Sequence, residues 1–423
     1  MFPHKTIIGF YIIGFIKYLS VLDWVCWKLI NSAYISAHLI RYRGFIMNKN
    51  LNNEIGDALY ASTIAYAQYE NIIQPVITNE WDLAGQVKWI ENLISKKIVK
   101  STELLFVVKT NRISKRKYIQ ATKQGEQFLN QLKASISDIK RHYPLHRFNP
   151  YFELFIRNVE DRHLQELAWM IHALSDDQVV KWVDVLNGCV ESIRQEANSL
   201  KFKNTINEYH RLANKNFKEL MKYISALFGH GQNSRLLVLR IDLGYLKEHL
   251  WPVGKETAVQ YADVKKHWGI FLRYLKTKLP SDCMRGFCWK LEYGLEKSFH
   301  FHVMIFLDGS KVREDVTIAR LIGEHWSTTV TNGKGLYYNC NAHKEGYKSC
   351  GIGMVKHDDA TLREGLEKAA LYMTKIDYYI QMVAPGNGRT FGKGNMPMPK
   401  TSNRGRPRTT AKPISGDNPT PSI

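Results

Sequence analysis

Two histidines separated by one residue lie in an apolar stretch of this chain, and their types and spacing suit metal chemistry. His300 and His302 fall within LEYGLEKSFHFHVMIFLD, residues 291–308. Side chains alternate between the two faces of a strand, so both imidazoles should project from one face and converge on one ion. Half-buried strand histidines without a ligand show the same pattern. The pair alone therefore leaves both interpretations open.

A β-hairpin is predicted to add a carboxylate to this pair. Apolar and β-branched residues flank Glu296 on both sides, which favours two antiparallel strands joined by a turn. With the turn centred near Glu296, Glu292 lies across from His300 on the same face. The sequence therefore predicts an open three-ligand site made of Glu292, His300 and His302.

A second motif lies about 70 residues downstream, in DDATLREGLEKAALYMTKIDYYIQMV. Apolar residues at helical spacing and a capping signal, Thr361-x-x-Glu364, predict one amphipathic helix over residues 358–383. A different face of that helix lines up Lys368, Tyr372, Lys375 and Tyr379. Tyrosines flanked by solvated lysines are common on helices, so this pattern becomes specific only through its position after the His-x-His motif.

The order of the two motifs resembles that of the HUH endonucleases of rolling-circle replication. His300-Phe301-His302 matches the metal motif, and Tyr372-Met373-Thr374-Lys375 matches the nucleophile motif. More closely, residues 236–408 resemble the YagK/YfjJ C-terminal domain of inovirus-type replication proteins. The segments that carry this resemblance are LRIDLGY, EYGLEKSFHFHVMIFLDG, EHWSTTVTNGKG, AALYMTKIDYY and GRTFGKGNMP. The resemblance implies a mainly antiparallel sheet that carries the site on one face.

The resemblance also implies an activity, that of a DNA endonuclease and strand transferase. Tyr372 would attack phosphorus and leave a 5′-phosphotyrosine and a free 3′-hydroxyl, while Lys375 favours the phenolate. Lys368, one turn away, would assist and is predicted to bind the DNA. Mixed nitrogen and oxygen ligands with an oxygen-rich substrate suit Mg²⁺ or Mn²⁺. Residue 376 is Ile, where some initiators carry a second tyrosine, so one nucleophile is expected. Tyr378 and Tyr379 are interpreted as packing or base-stacking groups.

Three functions remain open at this stage. Initiation of rolling-circle replication of a phage or prophage element is favoured. The alternatives are a non-cleaving DNA-binding regulator built on the same domain, and an HUH relaxase or transposase. The expected partners are single-stranded DNA or a nicked origin, together with host replication proteins, in the cytoplasm of a bacterial host.

The composition agrees with a nucleic-acid partner. The chain of 423 residues has 59 Lys and Arg against 39 Asp and Glu, a formal net charge of +20, which favours polyanions, nucleic acid before membrane. No stable membrane partner is expected. The six cysteines lack paired spacing, as is typical of proteins from a reducing compartment. A loose group, Cys340, His343, Cys350 and His357, fits no common zinc spacing.

The fold class predicted is α+β, in four parts. Residues 1–46 form an apolar extension, interpreted as the product of an upstream start that is not part of the true protein or as a membrane-skimming helix. Residues 47–228 are expected to be helical, and residues 229–384 to form the HUH-like catalytic domain. Residues 385–423 are expected to be a flexible basic tail.

Basic residues occur at two places outside the predicted catalytic site. The tail is predicted to bind DNA through Arg389, Lys393, Arg404, Arg406 and Arg408. In the helical region, Arg112, Lys115, Arg116 and Lys117 are expected on a helical surface that is either merely solvated or tracks a DNA backbone. Trp169 and Leu186 are among the residues expected in the core of that region.

Overall fold

A computed structural model describes residues 64–69, 72–229, 232–250, 258–279, 282–347 and 349–398 of the chain. The predicted α+β class is confirmed. Among the described residues, no helix combines the length and apolar character needed to cross a membrane. The predicted extension at residues 1–46 lies outside the described residues.

A six-stranded antiparallel sheet forms the centre of the C-terminal half. Its strands run in the order β10-β6-β8-β7-β12, and β9 also pairs with β6. Their bounds are β6 Arg235–Tyr245, β7 Met284–Gly294, β8 Ser298–Asp308, β9 Gly335–Asn339, β10 Gly353–Lys356 and β12 Phe391–Lys393. The long central strands consist largely of β-branched, aliphatic and aromatic residues, which suit a pleated surface buried on both sides.

The N-terminal half is mainly helical, as predicted, but it also contains short strands that the prediction did not include. Its helices are α1 Glu80–Leu93, α2 Lys123–Gln131, α3 Ile136–His142, α4 Pro150–Glu160, α5 Leu164–Met170, α6 Asp176–Asn198 and α7 Leu200–Leu227. Its strands are β1 Ile64–Tyr69, β2 Ile72–Ile77, β3 Phe106–Thr110, β4 Lys117–Ala121 and β5 His146–Phe148. Side-chain caps start several of these helices, for example Ser175 with Gln178 in a capping box at α6.

Three further helices belong to the C-terminal half: α8 Tyr261–Thr277, α9 Asp315–His325 and α10 Ala360–Lys375. The helix predicted over 358–383 is therefore too long. Its start is capped by Asp359, whose carboxylate accepts the Leu362 N–H at 2.9 Å, so the predicted Thr361 cap is also wrong. After Lys375 the chain forms one 3₁₀ turn, Ile376–Tyr378, and then strand β11, Ile380–Met382, which pairs with β5.

The two faces of the sheet pack against different helices. On β8, Phe301, Val303 and Ile305 face a core that also contains Phe271 of α8 and Ile322 of α9. The opposite face belongs to a second core, whose members include Met304 and Phe306 of β8, Leu220 and Tyr223 of α7, and Ala370 and Met373 of α10. By the alternation of a strand, His300 and His302 lie on this second face, beneath α7 and α10.

The segment after residue 384 is part of the fold up to residue 398, which corrects the predicted flexible tail. Strand β12 pairs with β7, placing Lys393 opposite Cys288 and Phe391 opposite Lys290. Further backbone hydrogen bonds join Leu291 to Thr390 and Gly394 to Phe287. The domain built on the central sheet therefore extends past residue 384, its predicted end.

Candidate metal centre and nucleophile helix

The hairpin of β7 and β8 has the predicted register. Glu292 lies directly opposite His300, and Lys290 lies opposite His302. The turn spans residues 295–297 and is centred on Glu296, as expected. In an antiparallel pair, opposed residues project to the same face of the sheet. The three predicted ligands therefore share one face.

The ligand atoms of these residues converge. Nε2 of His300 and Nε2 of His302 lie 3.5 and 3.4 Å from Oε2 of Glu292. One donor atom from each residue falls within 4.8 Å of the other two, and no second group of three or more such side chains arises in the described part of the chain. The loose set Cys340, His343, Cys350 and His357 is accordingly not brought together there.

The remaining ring nitrogens are held by neighbouring oxygens. His300 Nδ1 lies 3.0 Å from the carbonyl oxygen of Ser298, and His302 Nδ1 lies 2.7 Å from Oδ1 of Asp242. A carbonyl oxygen can only accept, so His300 Nδ1 carries the proton and the Nε2 of the neutral ring presents its lone pair. Ser298, whose carbonyl oxygen accepts this hydrogen bond, has a φ of 55°, in the left-handed region.

Asp242 was not among the predicted site residues. It lies on β6 opposite His302, one strand away from the hairpin. Its signal in the sequence is a carboxylate two residues after Arg240 in the mainly apolar strand LRIDLGY, and the structure buries that side chain. A carboxylate that orients a ligand imidazole through Nδ1 is a common second layer of a metal site.

The cluster is electrostatically coupled. Burial alone would lower the pKa of His302, but the Asp242 and Glu292 carboxylates outweigh this effect and raise it to about 9. Burial would raise the pKa of Glu292, yet the two imidazoles hold it well below its usual range. Burial, and then the positive charge of Lys297, lower the pKa of His300. The Asp242 and Glu292 carboxylates thus supply negative charge at the point where a cation would replace the proton of His302.

The residues fit a divalent ion. Neighbouring ligand atoms that each lie about 2.1 Å from a shared ion are roughly 3.0–3.5 Å apart. The two imidazole nitrogens lie at this distance from Oε2 of Glu292. His300 Nε2 is buried and lacks a hydrogen-bond partner, which is costly unless a ligand satisfies it. Two imidazole nitrogens and one carboxylate from one sheet face fill only part of the coordination sphere of a divalent ion. The other coordination positions are left for substrate oxygens.

Helix α10 brings Tyr372 to the same face of the sheet. Cys288, Lys290 and Glu292 follow one another along one face of β7. Met373 Sδ packs 3.8 Å from Cys288 Sγ, and the Asp377 carboxylate after the helix binds Lys290. The end of α10 therefore runs along β7 toward Glu292. Tyr372 lies in this last turn with a partly exposed side chain.

The other predicted residues of this helix differ in their outcome. Lys375 ends α10, and its side chain lies outside the described part of the structure. Lys368 forms an ion pair with Glu364 at 2.9 Å and donates to Ser349 Oγ at 3.1 Å, so its ammonium is engaged away from the cluster. The prediction that Tyr379 shares one helix face with Lys368, Tyr372 and Lys375 is wrong, because the helix ends before Tyr379.

Tyr378 and Tyr379 lie in the core of the N-terminal half. Tyr379 is 6% exposed, and Tyr378 is partly buried and stacks on His210 with ring centroids 4.2 Å apart. Of the two roles predicted for them, packing is therefore confirmed, and neither ring is presented for base stacking.

The predicted DNA-binding residues of the tail fall into three groups. Arg389 is exposed. Lys393 lies 4.0 Å from Glu219 and over the ring of Tyr223, so part of its charge is used within the protein. Arg404, Arg406 and Arg408 lie outside the described residues.

The N-terminal half also reaches this centre, which the sequence did not indicate. Glu80, the first residue of α1, accepts the N–H of Glu296 at the hairpin turn at 3.1 Å, and the N–H of Asn79 donates to Glu296 Oε1 at 3.2 Å. On β5, burial lowers the pKa of His146 to about 4 despite the nearby carboxylates of Glu80 and Glu292. The turn that joins β7 and β8 is therefore held in place by residues of the N-terminal half.

Comparison with known proteins identifies one family. Residues 195–394 match the family model described as the YagK/YfjJ C-terminal domain. No curated protein and no solved structure matches the chain. The matched segment contains Glu292, His300, His302 and Tyr372, begins near the end of α6, and ends just after β12. It starts before the segment predicted to resemble this family, residues 236–408, and it ends before that segment does. The match includes α7, which packs on the sheet, and β12, which pairs with β7.

Proposed function

We propose that this protein nicks and rejoins single-stranded DNA through a 5′-phosphotyrosine at Tyr372, and so initiates rolling-circle replication of a phage or prophage element. The observation that carries the proposal is the convergence of Glu292, His300 and His302 on the sheet face along which the Tyr372 helix runs. The match of this segment to the YagK/YfjJ C-terminal domain supports it, as does the likeness of its motifs to those of HUH endonucleases.

Each side chain has a role in this proposal. A divalent ion, Mg²⁺ or Mn²⁺, would polarise a non-bridging oxygen of the scissile phosphate. Glu292, His300 and His302 hold that ion, and Asp242 keeps the His302 ring aimed at it through Nδ1. Tyr372 supplies the attacking oxygen. Lys375, three residues later in the sequence, keeps its predicted role of favouring the phenolate.

The covalent step conserves the energy of the phosphodiester. The Tyr372 oxygen forms a bond to phosphorus as the bond to the 3′ oxygen breaks; the phenol gives up a proton, and the departing oxygen takes one up. The phosphotyrosine remains reactive toward a 3′-hydroxyl, so the reverse step rejoins a strand. A free 3′-hydroxyl is also a primer for synthesis.

The test is covalent capture of DNA by the full-length protein. A library of single strands with randomised sequence and a labelled 3′ end is incubated with the protein in Mn²⁺, in Mg²⁺, or in chelator, and adducts are resolved on a denaturing gel. We expect a labelled adduct with either ion and none in chelator. Sequencing of the captured strands then gives the cut site.

Two outcomes would contradict the proposal. Tight binding of DNA with no adduct under any condition would favour a non-cleaving regulator on the same domain. Cleavage that leaves both product ends free of protein would indicate a hydrolase, because a transferase retains one end. Mapping the linked peptide by mass spectrometry identifies the attacking residue.

A further inference from the structure

A strongly basic β-hairpin projects from the N-terminal half, far along the chain from the metal ligands. Strands β3 and β4 pair from Phe106 opposite Ala121 to Thr110 opposite Lys117. We call residues 106–121 the basic ribbon. Its sequence, FVVKTNRISKRKYIQA, holds five cations and no acidic residue: Lys109, Arg112, Lys115, Arg116 and Lys117. The ribbon was expected to be helical, and the β-branched and aromatic residues of both strands account for the hairpin.

The charges of the ribbon are presented to solvent. Lys109, Arg112, Lys115 and Arg116 are exposed, and Lys117 is partly exposed. Within the described residues, none of the five ammonium or guanidinium groups forms an ion pair. At the tip, Ile113 is 94% exposed, and Tyr118 on β4 is 46% exposed. Like charges this close repel one another, so a polyanion is the partner that relieves them.

The ribbon is held rigidly on the body of the protein. At its base, Phe106 is buried, and its backbone N–H and C=O both bond to the amide of Asn187 on α6, at 3.3 and 2.8 Å. The Lys117 N–H donates to Asp176 at 3.0 Å. At the tip, the Asn111 side chain accepts from Ile113 and Ser114. The backbone that carries the cations is therefore ordered before any partner binds.

We propose that the basic ribbon binds duplex DNA by entering a groove, with its cations on the flanking phosphates and Ile113 against the bases. The major groove of B-DNA, about 12 Å wide, admits a two-stranded ribbon, whereas the major groove of A-form RNA is too narrow. A single strand is bound chiefly by aromatic platforms, and the ribbon presents one exposed aromatic ring, Tyr118.

This inference adds a second DNA-binding surface to the proposed function. The ribbon lies outside residues 195–394, which hold the cutting site. A protein that cuts one strand at an origin must first find that origin within duplex DNA, and a rigid ribbon could hold the duplex beside the strand to be cut. The inference rests on the proposed function only in taking DNA as the substrate.

The experiment compares two variants that lose the same charge. The ribbon variant is Arg112→Ala with Lys115→Ala and Arg116→Ala. The control is Lys201→Ala with Lys203→Ala and Arg211→Ala, three exposed cations on α7. Affinity of the full-length protein for a labelled duplex of about 30 base pairs, for one of its strands alone, and for an RNA duplex is measured at several salt concentrations. Thermal unfolding checks that each variant is folded.

We expect the ribbon variant to bind duplex DNA at least tenfold more weakly than the control, with a salt slope shallower by about 0.9 for each phosphate that the protein no longer neutralises. Its affinity for the single strand should fall only as far as that of the control. Ile113→Ser, which keeps every charge, should weaken duplex binding and leave the slope unchanged.

The inference is overturned if the ribbon variant and the control bind duplex DNA alike, or if the affinity falls as far on the single strand or on the RNA duplex. The adduct assay with the unaltered protein tests the proposed function separately. An active nickase with an unimportant ribbon would refute only this inference, and a ribbon that binds duplex in a protein that never forms an adduct would refute only the proposed function.

Discussion

Lys290 Nζ lies 2.6 and 2.7 Å from the two carboxylate oxygens of Asp377, in a buried ion pair between strand β7 and the turn that follows helix α10. The side chains are 1% and 3% exposed. Lys290 is two residues from Glu292, a proposed metal ligand, and Asp377 is five residues from Tyr372. The pair therefore fixes the two halves of the proposed chemistry relative to each other.

Breaking this pair should destabilise the fold. In Lys290→Met, Asp377 would stay buried without its partner; burial already raises the pKa of this carboxyl, and the Lys290 charge is what opposes that rise. We expect a loss of about 3–5 kcal/mol in the free energy of unfolding. Lys290→Met with Asp377→Leu should recover most of it. Denaturant unfolding at neutral pH measures both, and a loss as small as that of a surface pair would contradict the prediction.

Removing the attacking oxygen should abolish the covalent product alone. Tyr372→Phe keeps the ring and the helix, so affinity for single-stranded DNA should stay near that of the unaltered protein while the adduct disappears. The matched control is Tyr379→Phe, which removes the same atom from a buried ring elsewhere in the core. An adduct that persists in Tyr372→Phe and is lost in Tyr379→Phe would show that the nucleophile is misassigned.

Ion binding should depend on the proposed ligands and also on Asp242, which orients one of them. His300→Ala and His302→Ala should each remove Mn²⁺ binding measured by calorimetry, because each deletes one of three ligands. Asp242→Asn should weaken binding about 10- to 100-fold by releasing the His302 ring. His172→Ala, an exposed histidine outside the cluster, serves as the control. Unchanged Mn²⁺ affinity in the double variant, His300→Ala with His302→Ala, would remove the metal from the proposed mechanism.

Ion affinity should rise with pH. In the ion-free protein the pKa of His302 is about 9, so this imidazole is protonated at neutral pH and must lose its proton to become a ligand. Apparent affinity should therefore fall about tenfold for each unit that pH is lowered below that value. Calorimetry at pH 6.5, 7.5 and 8.5, in buffers of different ionisation heat, gives both the affinity and the proton released. No proton release would contradict this picture.

The sequence predicted the convergence of Glu292, His300 and His302 because two local rules determine it. Alternation along a strand placed His300 and His302 on one face, and a short turn fixed Glu292 opposite His300. Asp242 and Glu80 come from elements distant in the chain, and only the tertiary fold brings them to the hairpin. Local pattern carries no information about such pairings.

The errors in the helical regions have the same origin. The helical period continues past residue 375, but burial of Asp377 against Lys290 and pairing of β11 with β5 end the helix there. Trp169 was expected in the core and is 75% exposed, whereas Leu186 is fully buried as expected. Apolar periodicity identifies the buried face of a long helix such as α6, and it is less informative for a helix of two turns such as α5.

Strand β12 also protects the sheet from other copies of the protein. It covers the backbone of β7 around Cys288 to Lys290, which would otherwise be an outer edge with free hydrogen-bonding groups. A protein shortened at residue 384 would keep every proposed catalytic residue and expose that edge. Such a truncation should associate edge to edge and precipitate during expression, so any recombinant catalytic fragment should retain residues up to 398.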